Sequence, residues 1–509
     1  MSVPGKLRTL MLRITVDGTA YEVEEGLTLL QALDDLGVLM KGVDIPHYCW
    51  HPKLSIDGSC RMCQVEVEGV PKLQIACDTP VRDGMVVHTG NERVRKAREG
   101  VMELMLVNHP LDCPICDQAG ECKLQDYAFD YGQMHTRTRE PRRALKKRVD
   151  LGATIVFDQE RCILCRRCVR FCREIPGTSE LAITQRGDRS TVETFPGKPL
   201  ENDYSMNVAD ICPVGALTTR DFRFKVRVWF LEEVPGICTG CSRGCNVHVG
   251  VADDQVRRYT PRRNDEVNDT WLCDYGRMTY QEIGAPDRIS EPAVRGDAGQ
   301  LVGTTLEQAV ECAAQLMRTA VEKEGPGVVA ALASAHATNE DLAALRGLLA
   351  ALGSETHGVP IVTGPADALL IRPEKAANAE GARVAGFGEP GLLLDKIRGG
   401  GVRVLIVLGH DIIHEQFLGS PEALAALDGV ILLDTHRSRL EQVAHVVIPA
   451  RHLAEKGGTV TNFEGRVQAV PAALEPAFEA VAEAQVLARI ASALDLSISD
   501  ESERKRETD

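Results

Sequence analysis

The sequence predicts a multidomain α+β and α/β protein, with small cysteine-bearing α+β domains first and a Rossmann-like α/β domain after them. Two observations predict it. Sixteen of the seventeen cysteines lie between positions 49 and 273, and only Cys312 lies beyond. From about residue 300 the pattern changes to alternating helices and strands, as a parallel sheet requires. At 509 residues the chain has room for several domains, each burying its own core.

Residues 10–17 alternate apolar and polar, Gly18 makes a turn, and "AYEVEE" continues as a second strand. Thr28 reads as the N-cap of a helix over 29–36, closed by Gly37. "CQVEVEG" (63–69) alternates again. Thr89 and Glu92 have capping-box spacing and open a helix with apolar positions 94, 97, 101, 104 and 105. Pro110 disfavours the α conformation at His109 and ends that helix there. Residues 110–132 read as a cysteine-rich loop and short helix, and 153–157 as a strand leading into "CILCRRCVRFC" (162–172). The second half predicts a helix at 305–322, a strand at 327–333 and a helix at 339–352. Strands follow at 402–408 and 429–434, with no internal repeat, and the tail "ESERKRETD" reads as disordered.

A formal charge of −15 argues against nucleic acid or an anionic membrane surface as the main partner. The basic stretch "RTREPRRALKKR" (137–148) reads as a solvated linker rather than a docking site. No run reaches the ~18 apolar residues of a membrane span. The start, "MSVPGKLRTLMLRITV", has no apolar signal core and is short for a transit peptide. A cytoplasmic protein is expected, with any membrane role exercised through partners. That compartment keeps thiols reduced, so seventeen cysteines point to metal binding rather than disulfides.

The cysteines fall into four groups. Cys49, Cys60, Cys63 and Cys77 are spaced C-x10-C-x2-C-x13-C. Their gaps run in the order of a plant-type [2Fe–2S] ferredoxin loop, though the first gap is longer. Zinc is the competing occupant, since C-x2-C knuckles also bind it. "HPLDCPICDQAGEC" supplies only three thiolates, Cys113, Cys116 and Cys122, so His109 is the fourth ligand expected of a [4Fe–4S] site. In the third group, a ferredoxin-type pair would need a second C-x2-C-x2-C-x3-C-P run, and none exists. Arg173 follows Cys172, whereas Cys212-Pro213 supplies the Cys-Pro element. Cys162, Cys165, Cys168 and Cys212 are therefore assigned to one [4Fe–4S] cluster and Cys172 is left free. Cys238, Cys241, Cys245 and Cys273 form the fourth group, read as [4Fe–4S] with zinc again the alternative.

Four clusters need sixteen ligands, which fifteen cysteines and His109 supply; Cys172 and Cys312 remain. Such centres carry single electrons. No G-x-G-x-x-G follows a strand and no Walker A is present, and the glycines of "RGGGV" (398–402) precede a strand.

With these groups placed, residues 10 to about 290 resemble the family of large iron–sulfur subunits in the peripheral arm of respiratory complex I. The resemblance implies one [2Fe–2S] and three [4Fe–4S] clusters, the fourth occurring only in some bacterial members and lying off the main electron path. It implies electrons passing from an NADH/flavin subunit toward quinone-reducing partners, with no substrate pocket on this chain. It also implies a peripheral protein on the cytoplasmic side of the bacterial inner membrane. From about 220 onward the chain resembles molybdopterin oxidoreductases, and "EKGGTVTNFEGRVQ" (455–468) looks like a recurring stretch of theirs. The formate dehydrogenase type carries C-x-K-G-R after the cluster, where this chain has Cys273-Asp274-Tyr275-Gly276-Arg277. A shortened scaffold without molybdopterin is expected. The implied domains are a β-grasp [2Fe–2S] ferredoxin-like one at 9–90, a His/Cys3 [4Fe–4S] one at 91–136 and a [4Fe–4S] ferredoxin-like one at 150–225. A [4Fe–4S] domain of molybdopterin-oxidoreductase type at 226–290 and the truncated α/β domain at 291–495 follow. Competing readings are the electron-transfer subunit of an NAD-linked hydrogenase or formate dehydrogenase, and a zinc-stapled scaffold.

Overall fold

The computed structural model describes residues 10–476 and 478–498. The tail "ESERKRETD", expected from its sequence to be disordered, lies outside them. The chain divides into two compact units, Met1–Phe230 and Leu231–Asp509.

The first unit opens with β1 (Met11–Val16) and β2 (Thr19–Glu24), an antiparallel hairpin. Helix α1 (Leu29–Asp35) starts at a capping box between Thr28 and Gln31 and buries Leu29, Leu30 and Leu33. Full burial of such a side chain contributes about 1.5–3 kcal/mol. Strands β3 (Gln64–Val67), β4 (Gln74–Ile75) and β5 (Val86–His88) complete a five-stranded sheet in the order β2-β1-β5-β3-β4. The first cysteine group lies on the connections around β3 and β4.

Helix α2 (Glu92–Leu106) departs from the sequence expectation in its cap and its buried stripe. Asn91, not Thr89, caps it, accepting from the Val94 amide at 3.0 Å, while the Thr89 amide donates to Asp17 at 2.8 Å. The buried positions are Val94, Arg98 and Met102, an i, i+4 row, and Leu104 is 78% exposed. The row includes an arginine because its guanidinium donates to the Gln64 carbonyl at 2.9 Å and the Tyr131 hydroxyl at 3.0 Å. The helix also stops at Leu106, before the expected His109.

Helix α3 (Lys123–Tyr131) follows, and then an exposed stretch through the basic residues 139–148. That stretch is not wholly free: Lys147 pairs with Asp112 at 2.6 Å and also with Glu160. Strands β6 (Val149–Asp150) and β7 (Ile155–Phe157), helix α4 (Arg167–Glu174), the hairpin β8 (Leu181–Thr184) with β9 (Thr191–Thr194), helix α5 (Asn207–Asp210) and strand β10 (Leu217–Thr219) finish the unit. β7 lies between β6 and β10, which sets the start of the third cysteine run beside its distant member Cys212.

The second unit begins with the meander β11 (Glu232–Ile237), β12 (Asn246–Ala252) and β13 (Gln255–Pro261), then α6 (Asp274–Met278). The hairpin β14 (Ala293–Arg295) and β15 (Leu301–Gly303) leads to α7 (Leu306–Glu324), β16 (Val329–Leu332), α8 (Asn339–Leu352) and β17 (His357–Gly358). After α9 (Ala379–Val384) and α10 (Gly391–Arg398) come β18 (Val404–Leu408), β19 (Gly429–Asp434) and β20 (Val446–Pro449). They build a seven-stranded sheet, β15-β14-β20-β19-β18-β16-β17, in which β20, β19, β18, β16 and β17 are parallel. Strands β18 and β19 are buried at every position, as strands covered on both faces must be. Helix α11 (Leu453–Lys456), the hairpin β21 (Gly458–Thr461) with β22 (Val467–Val470) and helix α12 (Glu483–Ala493) complete the unit.

Candidate metal centres

The first group forms one buried knot of sulfur. Cys49, Cys60, Cys63 and Cys77 are all buried. Hydrogen bonds from Cys60 and Cys77 hold the Cys49 thiol well below the ordinary range, and a bond from Cys77 lowers Cys63. Cys60 and Cys77 are pushed up in return, so two of the four sulfurs favour the thiolate that a metal binds.

Cys113, Cys116 and Cys122 also face one another, with Cys113 exposed and the other two buried. The guanidinium of Arg227 clasps this loop, donating to the carbonyls of Cys116 at 2.8 Å and Pro114 at 2.9 Å. His109 is half-buried; burial and the neighbouring Arg161 lower its pKa to about 4, so its ring is neutral with a free lone pair. It lines a cavity of about 170 Å3 together with Cys162 and Leu164.

In the third group Cys162, Cys165, Cys168 and Cys212 are mutual neighbours, although Cys212 lies far along the chain from the other three. Leu164 and Arg166 take left-handed φ of 54° and 59°. That conformation costs a residue with a side chain about 1–3 kcal/mol. It turns successive amides inward as an anion-binding concavity, and the Leu164 amide donates to Cys162 Sγ at 3.4 Å. Cys172, one turn beyond Cys168 on α4, is buried, and burial followed by the nearby Glu180 pushes its thiol up to about 12.

The fourth group is built the same way. Cys238, Cys241, Cys245 and Cys273 are buried together. The Gly240 amide donates to Cys238 Sγ at 3.4 Å and the Gly276 amide to Cys273 Sγ at 3.3 Å. A Cβ at Gly276 would stand 2.6 Å from Cys238 Sγ, so the backbone must pass this sulfur without a side chain. The stretch 455–468 closes over this loop: the Phe463 amide donates to the Ser242 carbonyl at 2.9 Å and Gln468 Nε2 to the Gly244 carbonyl at 2.9 Å. Among the described residues, no set of three or more His, Cys, Asp and Glu side chains converges as a single metal ion requires.

The three groups of the first unit are contiguous. Arg170 bonds the carbonyls of both Cys49 and Cys165, and Arg167 bonds those of Trp50 and Ile211. Cys122 Sγ donates to the Pro213 carbonyl at 3.8 Å, and the Lys123 amide donates to the same oxygen at 3.1 Å. A Cβ at Gly215 would stand 2.3 Å from Cys116 Sγ. The third group thus lies against the first on one side and the second on the other.

Five family models match consecutive parts of the chain. Residues 9–92 match a 2Fe-2S iron-sulfur cluster binding domain, and 98–137 the NADH-ubiquinone oxidoreductase-G iron-sulfur binding region. Residues 152–218 match the ferredoxin-like domain of NADH-quinone oxidoreductase subunit 3. Residues 231–284 match the Fe4S4 domain of molybdopterin oxidoreductases and 372–493 the molybdopterin oxidoreductase model. The NADH-quinone oxidoreductase G subunits of Rickettsia conorii and Rickettsia felis are each 40% identical over 349 residues, 69% of this chain and 50% of theirs. The chain is a homologue of these proteins. It carries one 2Fe-2S domain and further 4Fe-4S binding domains. The match spans about half the length of those relatives. A chain of a crystal structure titled as an NAD+-reducing [NiFe]-hydrogenase aligns at 28% identity over 43% of this chain and 91% of its own, with a TM-score of 0.38 that carries no further weight.

The second unit holds a cavity of about 490 Å3 at the carboxyl ends of β16, β18, β19 and β20. Ser334, His336, His410, Asp411, Asp434 and His452 line it. The rule that open α/β sheets bind ligands at that edge was the signal that could have found it. Tyr275 lines the space, where Glu282, Asp287, Asp411 and Asp434 stand beside Arg437, Arg451 and five histidines. Lys456 is committed to Asp341 at 2.6 Å and Glu483 at 2.7 Å, and Lys375 donates to main-chain carbonyls.

Proposed function

We propose that the chain is the iron–sulfur electron-transfer subunit of a respiratory NADH:quinone oxidoreductase, carrying single electrons from an NADH/flavin subunit toward quinone-reducing partners. The observation that supports this most strongly is the contiguity of three donor sets in one compact unit. In this reading Cys49, Cys60, Cys63 and Cys77 hold one [2Fe–2S] cluster. His109 with Cys113, Cys116 and Cys122 holds a [4Fe–4S] cluster, and Cys162, Cys165, Cys168 and Cys212 hold a second. Cys238, Cys241, Cys245 and Cys273 hold a third. The clusters, when bound, accept and release one electron at a time. The chain's own residues keep these sites partly dry, gather the sulfurs of each set and, in the third and fourth sets, aim backbone amides at them.

The domain division proposed is 9–90, 91–136, 150–225, 226–290 and 291–495, with the last binding no molybdopterin. The partners are the flavin/NADH-binding subunit and downstream iron–sulfur subunits, at the cytoplasmic face of a bacterial inner membrane. No helix among the described residues is long and apolar enough to cross it. EPR of the intact complex after adding NADH tests the reading. Binuclear and tetranuclear signals assigned to this chain should develop. A complex that instead contained molybdenum or tungsten and oxidised formate would refute it.

A further inference from the structure

Two arginines at the start of α4 stand where the first and third donor sets meet. Arg167 and Arg170 are 5% and 4% exposed. Arg167 donates to the carbonyls of Ile211 at 3.1 Å and of Trp50. Arg170 donates to the carbonyls of Cys49, Ser55 and, at 3.4 Å, Cys165. Every acceptor is main chain. Among the described residues neither guanidinium has a carboxylate within ion-pair distance.

A buried cation is costly unless an anion answers it. Here the groups facing Arg167 that can become anions are chiefly cysteines of the two donor sets, Cys165, Cys49, Cys212 and Cys60; Tyr127 and the ring of His47 also face it. Lys123 faces it as a further cation. The Nε of each arginine is buried with no acceptor, as it is in Arg98, Arg258, Arg262, Arg277 and Arg372. A purely structural role, as staples between loops, accounts for the terminal nitrogens. It does not account for two buried positive charges placed between two sets of thiols with no carboxylate beside them.

We propose that Arg167 and Arg170 are positioning residues whose fixed charges serve as counter-ions to the thiolate-bound clusters of the Cys49 and Cys162 groups, raising both reduction potentials together. The proposal rests on the electron-transfer reading above. Each guanidinium stays singly positive throughout. When one electron is added on the thiolate side, no bond forms or breaks and no proton moves; the fixed charge favours the more negative, reduced state. Potentials of such sites respond to nearby charge, hydrogen bonding and exposure.

EPR-monitored redox titration of the purified complex carrying Arg167→Gln, Arg170→Gln or Arg167→Lys tests it. Arg167→Gln should keep its iron and shift reduction of both sites at least tenfold toward the oxidised state, about 59 mV lower for one electron. The site of Cys113, Cys116 and Cys122 should move less. Arg170→Gln should shift the two sites in the same direction, and Arg167→Lys should stay near the native potentials. Unshifted potentials in an iron-replete Arg167→Gln complex would overturn the proposal. So would a lysine variant that shifts as far as the glutamine one, since hydrogen-bond geometry and not charge would then be at work. If Arg167→Gln lost its iron, Arg170→Gln would be read by the same criterion. A native complex without iron signals would sink the electron-transfer reading itself, whereas native signals with unshifted variants would sink only the role of the arginines.

Discussion

At the scale of single residues, the assignment turns on two cysteines that sequence spacing alone leaves ambiguous. Cys172 lies in the run C-x2-C-x2-C-x3-C, yet it is buried on α4 beside Glu180. Cys212 is distant in sequence, yet β7 and β10 pair and bring it to Cys162 and Cys168. Cys172→Ala should therefore leave the iron content unchanged, while Cys212→Ala should lower it from about fourteen to about ten per chain. Metal analysis of the purified variants checks this, and the reverse pattern would refute the assignment. The cysteine groups were legible because a ligand's residue type and spacing are written in the chain. Arg167 and Arg170 were not, because arginines flanking cysteines read as solvated charge until the fold buries them.

At the scale of elements, helix α8 has the expected bounds, 339–352, and the structure adds a capping box between Thr338 and Asp341 that fixes its start. Helix α2 was misread because Thr89 and Asn91 are both good caps and only the contact of Thr89 with Asp17 chooses between them. Two polar contacts that no pattern announces give further tests. His410, after β18, is raised to about 9, chiefly by its 2.8 Å hydrogen bond to Asp434 on β19, and Asp411 and Glu282 also face it. Its folded pKa lies above the ordinary 6.5, so its stabilisation is complete below pH 6.5 and lost as pH rises through 9. Thermal unfolding across that range should show this loss, and His410→Gln should flatten it. The Lys456 ammonium, 4% exposed, joins Asp341 of α8 to Glu483 of α12. Lys456→Ala strands two buried carboxylates and should cost about 3–5 kcal/mol in urea unfolding of the chain. A loss below about 1 kcal/mol, the value of a surface pair, would show that this junction is solvated.

At the scale of the whole molecule, the division into a cysteine-rich first half and an α/β second half was legible because cysteine placement and strand–helix alternation are both local patterns. Contiguity of the three donor sets was not, since it depends on Pro213 and Gly215 reaching the Cys116–Cys122 loop from a distant part of the sequence. The cavity at the strand ends likewise depends on topology, which gathers residues from four separate loops. The central claim is that sixteen side chains hold one binuclear and three tetranuclear clusters. Its most direct test is an iron and zinc count on the purified chain with EPR after chemical reduction. About fourteen irons, negligible zinc and both classes of cluster signal are expected. A protein carrying mainly zinc, with no signal on reduction, would contradict it.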